Sequence, residues 1–190
     1  MEKLRTALSF GGILNDTEID YILPQYEYRV FQIGEEFLQI GRVSRSIGFI
    51  DEGIMRAYAI GLNGEEVTKY FMRPNQFLVD LESYYNDTPA ENAIQAITAS
   101  HLYIMHRSTW ITISQKIPKL YILMKSLTEA ALMSKIKDND FLNFGTAKDK
   151  YQAFVERYPQ LALQVPQQYI ASYLKITPQS LSRIRRELTK

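Results

Sequence analysis

The apolar positions of this chain change period along its length. Through residues 3–23, Leu4, Leu8, Ile13, Ile19 and Ile22 form a broken helical face. Asn15-Asp16 predicts the cap of a second short helix beginning near Thr17, and Pro24 closes it. From Tyr26 to about Met105 the period falls to two, with regular punctuation. Arg29–Ile33 stops at Gly34, Phe37–Ile40 at Gly41, and Ile47–Ile50 at Asp51-Glu52-Gly53. Ile54–Ile60 and Val67–Phe71 flank Leu62-Asn63-Gly64-Glu65, and Asn-Gly is the strongest short hairpin signal. Ala93–Thr98 and Leu102–Met105 read as further strands, and Gln76–Glu91 as a short helix and loop inserted between them. Many short strands at this spacing predict a sandwich or rolled barrel.

After the strands the helical period returns. Ser108–Phe141 reads as one long helix, in which Ile113, Ile117, Leu120, Met124, Leu127, Ala131 and Ser134 recur at alternating steps of four and three. That is a heptad seam. Pro118 either kinks it or starts its straight part. Two surfaces compete for such a helix, the chain's own barrel and the same helix of a second subunit; both are expected, on different faces. Asn143-Phe144-Gly145 ends it. Thr146–Tyr158 predicts another helix with Ala147, Tyr151, Phe154 and Val155 inward, and Leu161–Val165 a short extended segment.

Gln167–Lys190 organises the rest. Ile170, Ala171 and Leu174 share one helical face, Lys175-Ile176-Thr177 breaks that helix, and a second opens at Pro178. Thr177 is a good N-cap and proline is free of cost at the first helical position. Leu181, Ile184 and Leu188 form a predicted buried stripe, opposite Gln179, Ser182, Arg183 and Arg186. Small Ala171 lies where two crossing helices approach closely. Lys175 stands where such a turn usually has glycine, so it is expected in the left-handed region. The unit reads as a helix-turn-helix. Its plain alternative is an amphipathic end helix with a solvated basic face, since cations complement a helix C-terminus.

Charge separates the two readings. Lys175, Arg183, Arg185, Arg186 and Lys190 stand against Glu187 alone, a net of +4 in a chain of net +1. The positive field is therefore local, and amides, hydroxyls and guanidiniums face out of the last helix, the groups that meet phosphates and base edges.

Composition narrows the rest. The 190 residues, 46% apolar and 12% aromatic, suit one large or two small domains with real cores. The absence of cysteine removes disulfides, thiolate zinc sites and thiol redox sensing. His101 and His106 are the only histidines and lie five apart near a strand, so no metal is expected. The N-terminus carries no secretory signal and no apolar run reaches a membrane span, which places the expected compartment in the cytoplasm. A cupin-type enzyme would need clustered His and carboxylate ligands; no His-x-His pair, nucleophile elbow or Gly-Lys-Ser/Thr loop occurs, so no catalytic role is expected.

The order of a glycine-punctuated roll, a heptad helix and a terminal helix-turn-helix resembles the Crp/Fnr family of bacterial transcription regulators over nearly the whole chain. GEEVTKYFMRPNQFL resembles the family's glycine turn, strand and Pro/Gly-Asp/Asn-x-Phe corner, and ITPQSLSRIRREL its recognition helix. The resemblance implies an α+β chain. Residues 1–107 would form a double-stranded β-helix, a jelly-roll-like β-roll of the cyclic-nucleotide-binding type. Residues 108–142 would form a long dimerisation helix, and 143–190 a DNA-binding helix-turn-helix domain lacking the family's C-terminal wing. It implies that Gln179, Ser182 and Arg183 read bases, Arg183 on guanine, while Thr177, Ser180 and Arg186 hold phosphates. The expected partners are double-stranded DNA, a second copy through the long helix, and RNA polymerase. The missing wing predicts weaker or more salt-sensitive binding.

One departure bears on regulation. Many members bind a cyclic nucleotide through a Gly-Glu pair and a later Arg-Ser/Thr pair. The matching stretches here read Phe77-Leu78-Val79-Asp80 and Pro89-Ala90-Glu91-Asn92-Ala93, with Glu91 about where the phosphate-binding arginine belongs. Response to cyclic AMP is therefore not expected, and no cofactor is assigned. An unidentified small molecule in the roll, near Tyr70, Phe71, Phe77, Tyr84 and Tyr85, is the alternative; ordinary core is the plainer role for those rings. Arg56, Lys69 and Arg73 are candidates for some other anion, against the plain reading of exposed strand charges.

Overall fold

The computed structural model describes residues 1–188, with all their side chains except those of Asn139 and Phe141. Lys190, counted above among the basic residues, lies outside the described residues. The chain forms two compact units: Met1–Ala57 with Phe71–Glu129, and Tyr58–Tyr70 with the chain from Ala130 onward.

The first unit opens with α1 (Glu2–Leu8) and α2 (Asp16–Ile22). A capping box starts α2: Glu18 N–H donates to the Asn15 side chain, and Asn15 N–H to the Glu18 carboxylate. These bonds, with Lys119 beside it, hold the Glu18 carboxyl below its usual range. Seven strands take the expected places: β1 (Glu27–Phe31), β2 (Glu36–Leu38), β3 (Ser46–Glu52), β4 (Met55–Ile60), β5 (Glu66–Met72), then β7 (Ala93–Ala96) and β8 (Ser100–His106). Sequence reasoning missed β6 (Phe77–Leu78), which pairs antiparallel with β3, Leu78 opposite Gly48 and Phe77 opposite Phe49. Two residues are too few for a period to register. The short helix expected next is α3 (Leu81–Asn86). The strands make two four-stranded sheets, ordered β1-β8-β3-β6 and β2-β7-β4-β5.

The glycine after β3 is structurally forced. Gly53 has φ +93°, and a Cβ there would stand 2.3 Å from Ser100 Oγ and 2.6 Å from the Ala99 carbonyl oxygen. Gly53→Ala therefore meets strain and backbone together and is expected to cost about 2–4 kcal/mol. A lowered urea midpoint with an unchanged slope checks this.

The expected long helix is two. α4 (Arg107–Lys116) ends at Ile117, where φ −126° and ψ 79° leave the helical region, and α5 (Lys119–Asn143) follows Pro118. Proline disfavours the helical conformation of the residue before it. The seam's first members, Ile113, Ile117 and Leu120, join Leu123 in one buried cluster with Leu4, Leu8, Ile19, Ile22, Phe49 and Met105. Leu123 lies outside the expected seam, and Ala131 and Ser134, inside it, are exposed.

Among the candidate ligand residues, Arg56 corrects the reading of exposed charges: it is fully buried, while Lys69 is exposed. Arg56 Nε and Nη2 donate to Gln95 Oε1 at 3.0 and 2.7 Å, and Gln95 Nε2 donates to the Gly34 carbonyl at 3.1 Å. A guanidinium out of water needs such partners. Of the five ring residues, Tyr84 is buried, Tyr85 is 63% exposed, and Tyr70, Phe71 and Phe77 lie between. His101 meets the Tyr28 hydroxyl, and His106 caps α4, accepting from Ser108 N–H; both are structural roles.

The second unit carries α6 (Ala147–Arg157), α7 (Pro159–Gln164), α8 (Gln167–Tyr173) and α9 (Pro178–Leu188). Thr146 starts α6 with a capping box closed by Asp149, and the hydrogen bonds hold the Asp149 carboxyl below its ordinary range. The segment expected to be extended is helix α7. Pro159 presets its first turn, and buried Leu161, Ala162 and Val165 fall at i, i+1 and i+4. Phe154, fully buried, stands edge-on to Tyr158 and tilted against Tyr173.

Candidate nucleic-acid interface

The last two helices are built by local rules that the sequence displays. Ile170, Ala171 and Leu174 are fully buried, and Leu181 and Ile184 close the core from α9. Leu188 departs from the predicted stripe; it is 41% exposed, beside a cleft of about 280 Å³ that it lines with Tyr151, Val155 and Arg185. Lys175 takes the left-handed conformation at φ 58°. The chain satisfies the end of α8 there: Ile176 N–H donates to the Ala171 carbonyl at 3.0 Å and Lys175 N–H to Ser172 at 3.1 Å. That pair of bonds is a Schellman motif. Lys175 Nζ reaches Asn143 Oδ1 at 3.1 Å, so the strained residue is tied at both ends.

Thr177 caps α9 as expected, accepting from Ser180 N–H at 3.1 Å, and its hydroxyl donates to Ser180 Oγ at 2.9 Å. Gln179, Ser182, Arg183 and Arg186 follow at i, i+3, i+4 and i+7, one outward stripe in which only Ser182 is half-buried. The α9 backbone holds 11 residues and so runs about 16 Å, long enough to lie in a major groove about 12 Å wide. Arg183 Nε stands 4.0 Å from Glu187 Oε1 on the exposed surface. Such an i,i+4 pair is worth about 0.3–0.5 kcal/mol, so the guanidinium is easily released to another acceptor. Arg186 Nε leans on the Ser182 carbonyl at 3.4 Å. The structure thus brings Thr177 and Ser180 together at the helix start and sets the other four along its open face.

Sequence reasoning missed the bonds that hold α5 to this unit. The Tyr158 hydroxyl reaches both Asp138 oxygens at 2.6 Å, Arg157 pairs with the same carboxylate, and Arg157 Nη2 donates to the Ser134 carbonyl at 3.3 Å. Burial and the Asp138 bond push the Tyr158 hydroxyl above its ordinary range. No local pattern pairs residues twenty apart.

No family model matches the sequence, and no curated relative does. Solved structures do. The c-di-GMP-responsive global regulator CLP of Xanthomonas campestris superposes with TM-score 0.75 at 12% identity, over 92% of each chain. A Eubacterium rectale protein assigned to the Crp/Fnr family of transcriptional regulators gives 0.73 at 14%, over 97% of this chain and 88% of the other. FixK2 of Bradyrhizobium japonicum gives 0.72 at 17%, over 86% and 84%. This chain has the Crp/Fnr fold.

Within the Crp/Fnr fold, the two stretches matched to a nucleotide site are joined by an acid. Asp80 Oδ1 accepts from Ser83 N–H at 3.0 Å, capping α3, and Oδ2 accepts from Asn92 Nδ2 at 3.3 Å. Glu91 is exposed close by in sequence. Asp80, the last residue of the first stretch, thus ties Asn92 of the second to the start of α3. No helix among the described residues is long and apolar enough to cross a membrane.

Proposed function

We propose that this chain is a transcription regulator of the Crp/Fnr type that binds double-stranded DNA as a homodimer, independently of cyclic AMP. The observation that carries the reading is the outward stripe of α9, where Gln179, Arg183 and Arg186 are exposed beside half-buried Ser182 on a helix of groove-filling length. In this reading Arg183 pairs bidentately with guanine, Gln179 and Ser182 meet neighbouring bases, and Arg186, with Thr177 and Ser180 at the helix start, holds phosphates. Residues 108–142 supply the dimer contact. In this reading the first members of the heptad seam, Ile113, Ile117 and Leu120, turn inward, and the apolar patch of α5 offered to a partner is Leu132, Met133 and Ile136, more than half exposed. A two-fold places the recognition helices on a near-palindrome with half-sites about 34 Å apart. RNA polymerase is the further partner such a regulator meets on a promoter. The capping role of Asp80 supports independence from a cyclic phosphate.

Selection of bound fragments from a random DNA pool by the purified protein, without added ligand, tests this. An enriched palindrome is expected. A folded dimer that enriches nothing would favour the alternative, a roll gated by a small molecule, and a thermal-shift panel including cyclic AMP and c-di-GMP would then be the next measurement.

A further inference from the structure

α8 is only seven residues long, and Ser172 lies in its last turn. Its core face, Ile170, Ala171, Tyr173 and Leu174, is turned inward. A helical serine is a modest liability unless its hydroxyl is used, and the usual use is the carbonyl one turn back in its own helix. Ser172 reaches out of the helix instead. Its Oγ accepts from Thr68 N–H at 2.9 Å and donates to the Glu66 carbonyl at 3.3 Å. Both partners are backbone groups of β5, in the outer part of the β4–β5 hairpin that belongs to the same compact unit as α8. A second tie lies two residues along the strand from Thr68, where Lys135 Nζ of α5 stands 3.5 Å from the centroid of the Tyr70 ring. Partial desolvation beside the ring lowers the Lys135 ammonium below its ordinary range.

We infer that Ser172 is a positioning residue: its hydroxyl latches the first helix of the helix-turn-helix onto the β4–β5 hairpin and so fixes the pose from which α9 meets DNA. The chemistry suits the task. A hydroxyl donates and accepts through a single oxygen, so one short side chain closes a two-bond bridge to adjacent points of an edge strand, which a cation, a donor only, does not. Among the described residues β5 is the last strand of its sheet, β2-β7-β4-β5, so one of its edges faces side chains rather than another strand.

The inference rests on the DNA-binding reading for its consequence but not for its contact, and the test separates the two. In the full-length protein without DNA, amide hydrogen exchange at Thr68 reports the bridge. Ser172→Ala should speed that exchange about tenfold, the effect of one lost hydrogen bond, and lower affinity for the selected operator about tenfold. Ser172→Thr, which keeps the hydroxyl, should restore both while the unfolding midpoints of all three proteins stay close. Equal Thr68 exchange in wild type and Ser172→Ala would overturn the latch. Faster exchange with unchanged operator affinity would overturn the positioning role, as would a threonine variant that behaves like alanine. A wild-type protein that binds no DNA would sink the functional reading, while the Thr68 comparison would still decide the contact.

Discussion

Arg183→Ala is expected to erase preference at one base pair in each half-site of the operator while leaving non-specific affinity within a few-fold of wild type. Arg183 is 71% exposed along its side chain and gives up only a loose surface pair with Glu187. Nothing in the core depends on it, so the loss is read cleanly as recognition. A bidentate arginine–guanine pair is worth about 1–3 kcal/mol against the wrong base. Two half-sites double that, so operator affinity should fall by about two to four orders of magnitude. Arg186→Ala is the contrast: a phosphate contact weakens all sequences alike and lowers the slope of log affinity against log salt by about one per site. Anisotropy titrations on the selected operator, on each single-base variant and on random DNA, across a salt series, separate the two. An Arg183→Ala protein that keeps its base preference would move the guanine contact elsewhere on α9.

How much of this was legible in the sequence depends on how local each cause is. Glycine-punctuated alternation located seven strands because a turn and a period of two are written within a few neighbouring residues. Asn63-Gly64 marked its hairpin for the same reason, Gly64 standing at φ 81°. The helix-turn-helix was legible in its turn and caps, the strained Lys175 included, though not in Leu188, because the turn between two crossing helices tolerates few alternatives. What failed was short or tertiary. β6 has two residues, and only its partner β3 makes it a strand. The segment Leu161–Val165 is too short for its period to register, and Pro159, which can end one helix, here starts the next. Arg56 sat on a strand like any exposed charge, and its burial depends on Gln95, far along the chain. Of the candidate interface the outward stripe was legible; Ser172 and the Asp138 pairings were not, since each joins segments remote in sequence.

The heptad seam is the most instructive of these cases, and it sets the second large effect. The pattern of fours and threes was real, but its first members are absorbed by the chain's own core. In α5 the same side continues to Ser134 and Asp138, which bond to Arg157 and Tyr158. A helix of 25 residues has further faces, and on one Leu132, Met133 and Ile136 are 56%, 58% and 52% exposed. Ile136 lies four residues from Leu132 and three from Met133, so the three form one patch. Exposed apolar side chains at this spacing on a long helix are what a two-fold partner covers. Ile136→Glu, with Met133→Glu as a second variant, is therefore expected to yield a folded monomer. A buried, unpaired carboxylate at such a seam costs about 3–5 kcal/mol per copy, and the two-fold meets it twice. The monomer keeps α9 intact but engages one half-site at a time, and losing the linked second site removes about two to four orders of magnitude of operator affinity. Light scattering gives the mass, circular dichroism the helix content, and anisotropy the binding. Loss of dimer and operator binding together, with helix content kept, is the expected result. A dimer that survives both glutamates would place the two-fold on another face of α5 and change the predicted half-site spacing with it.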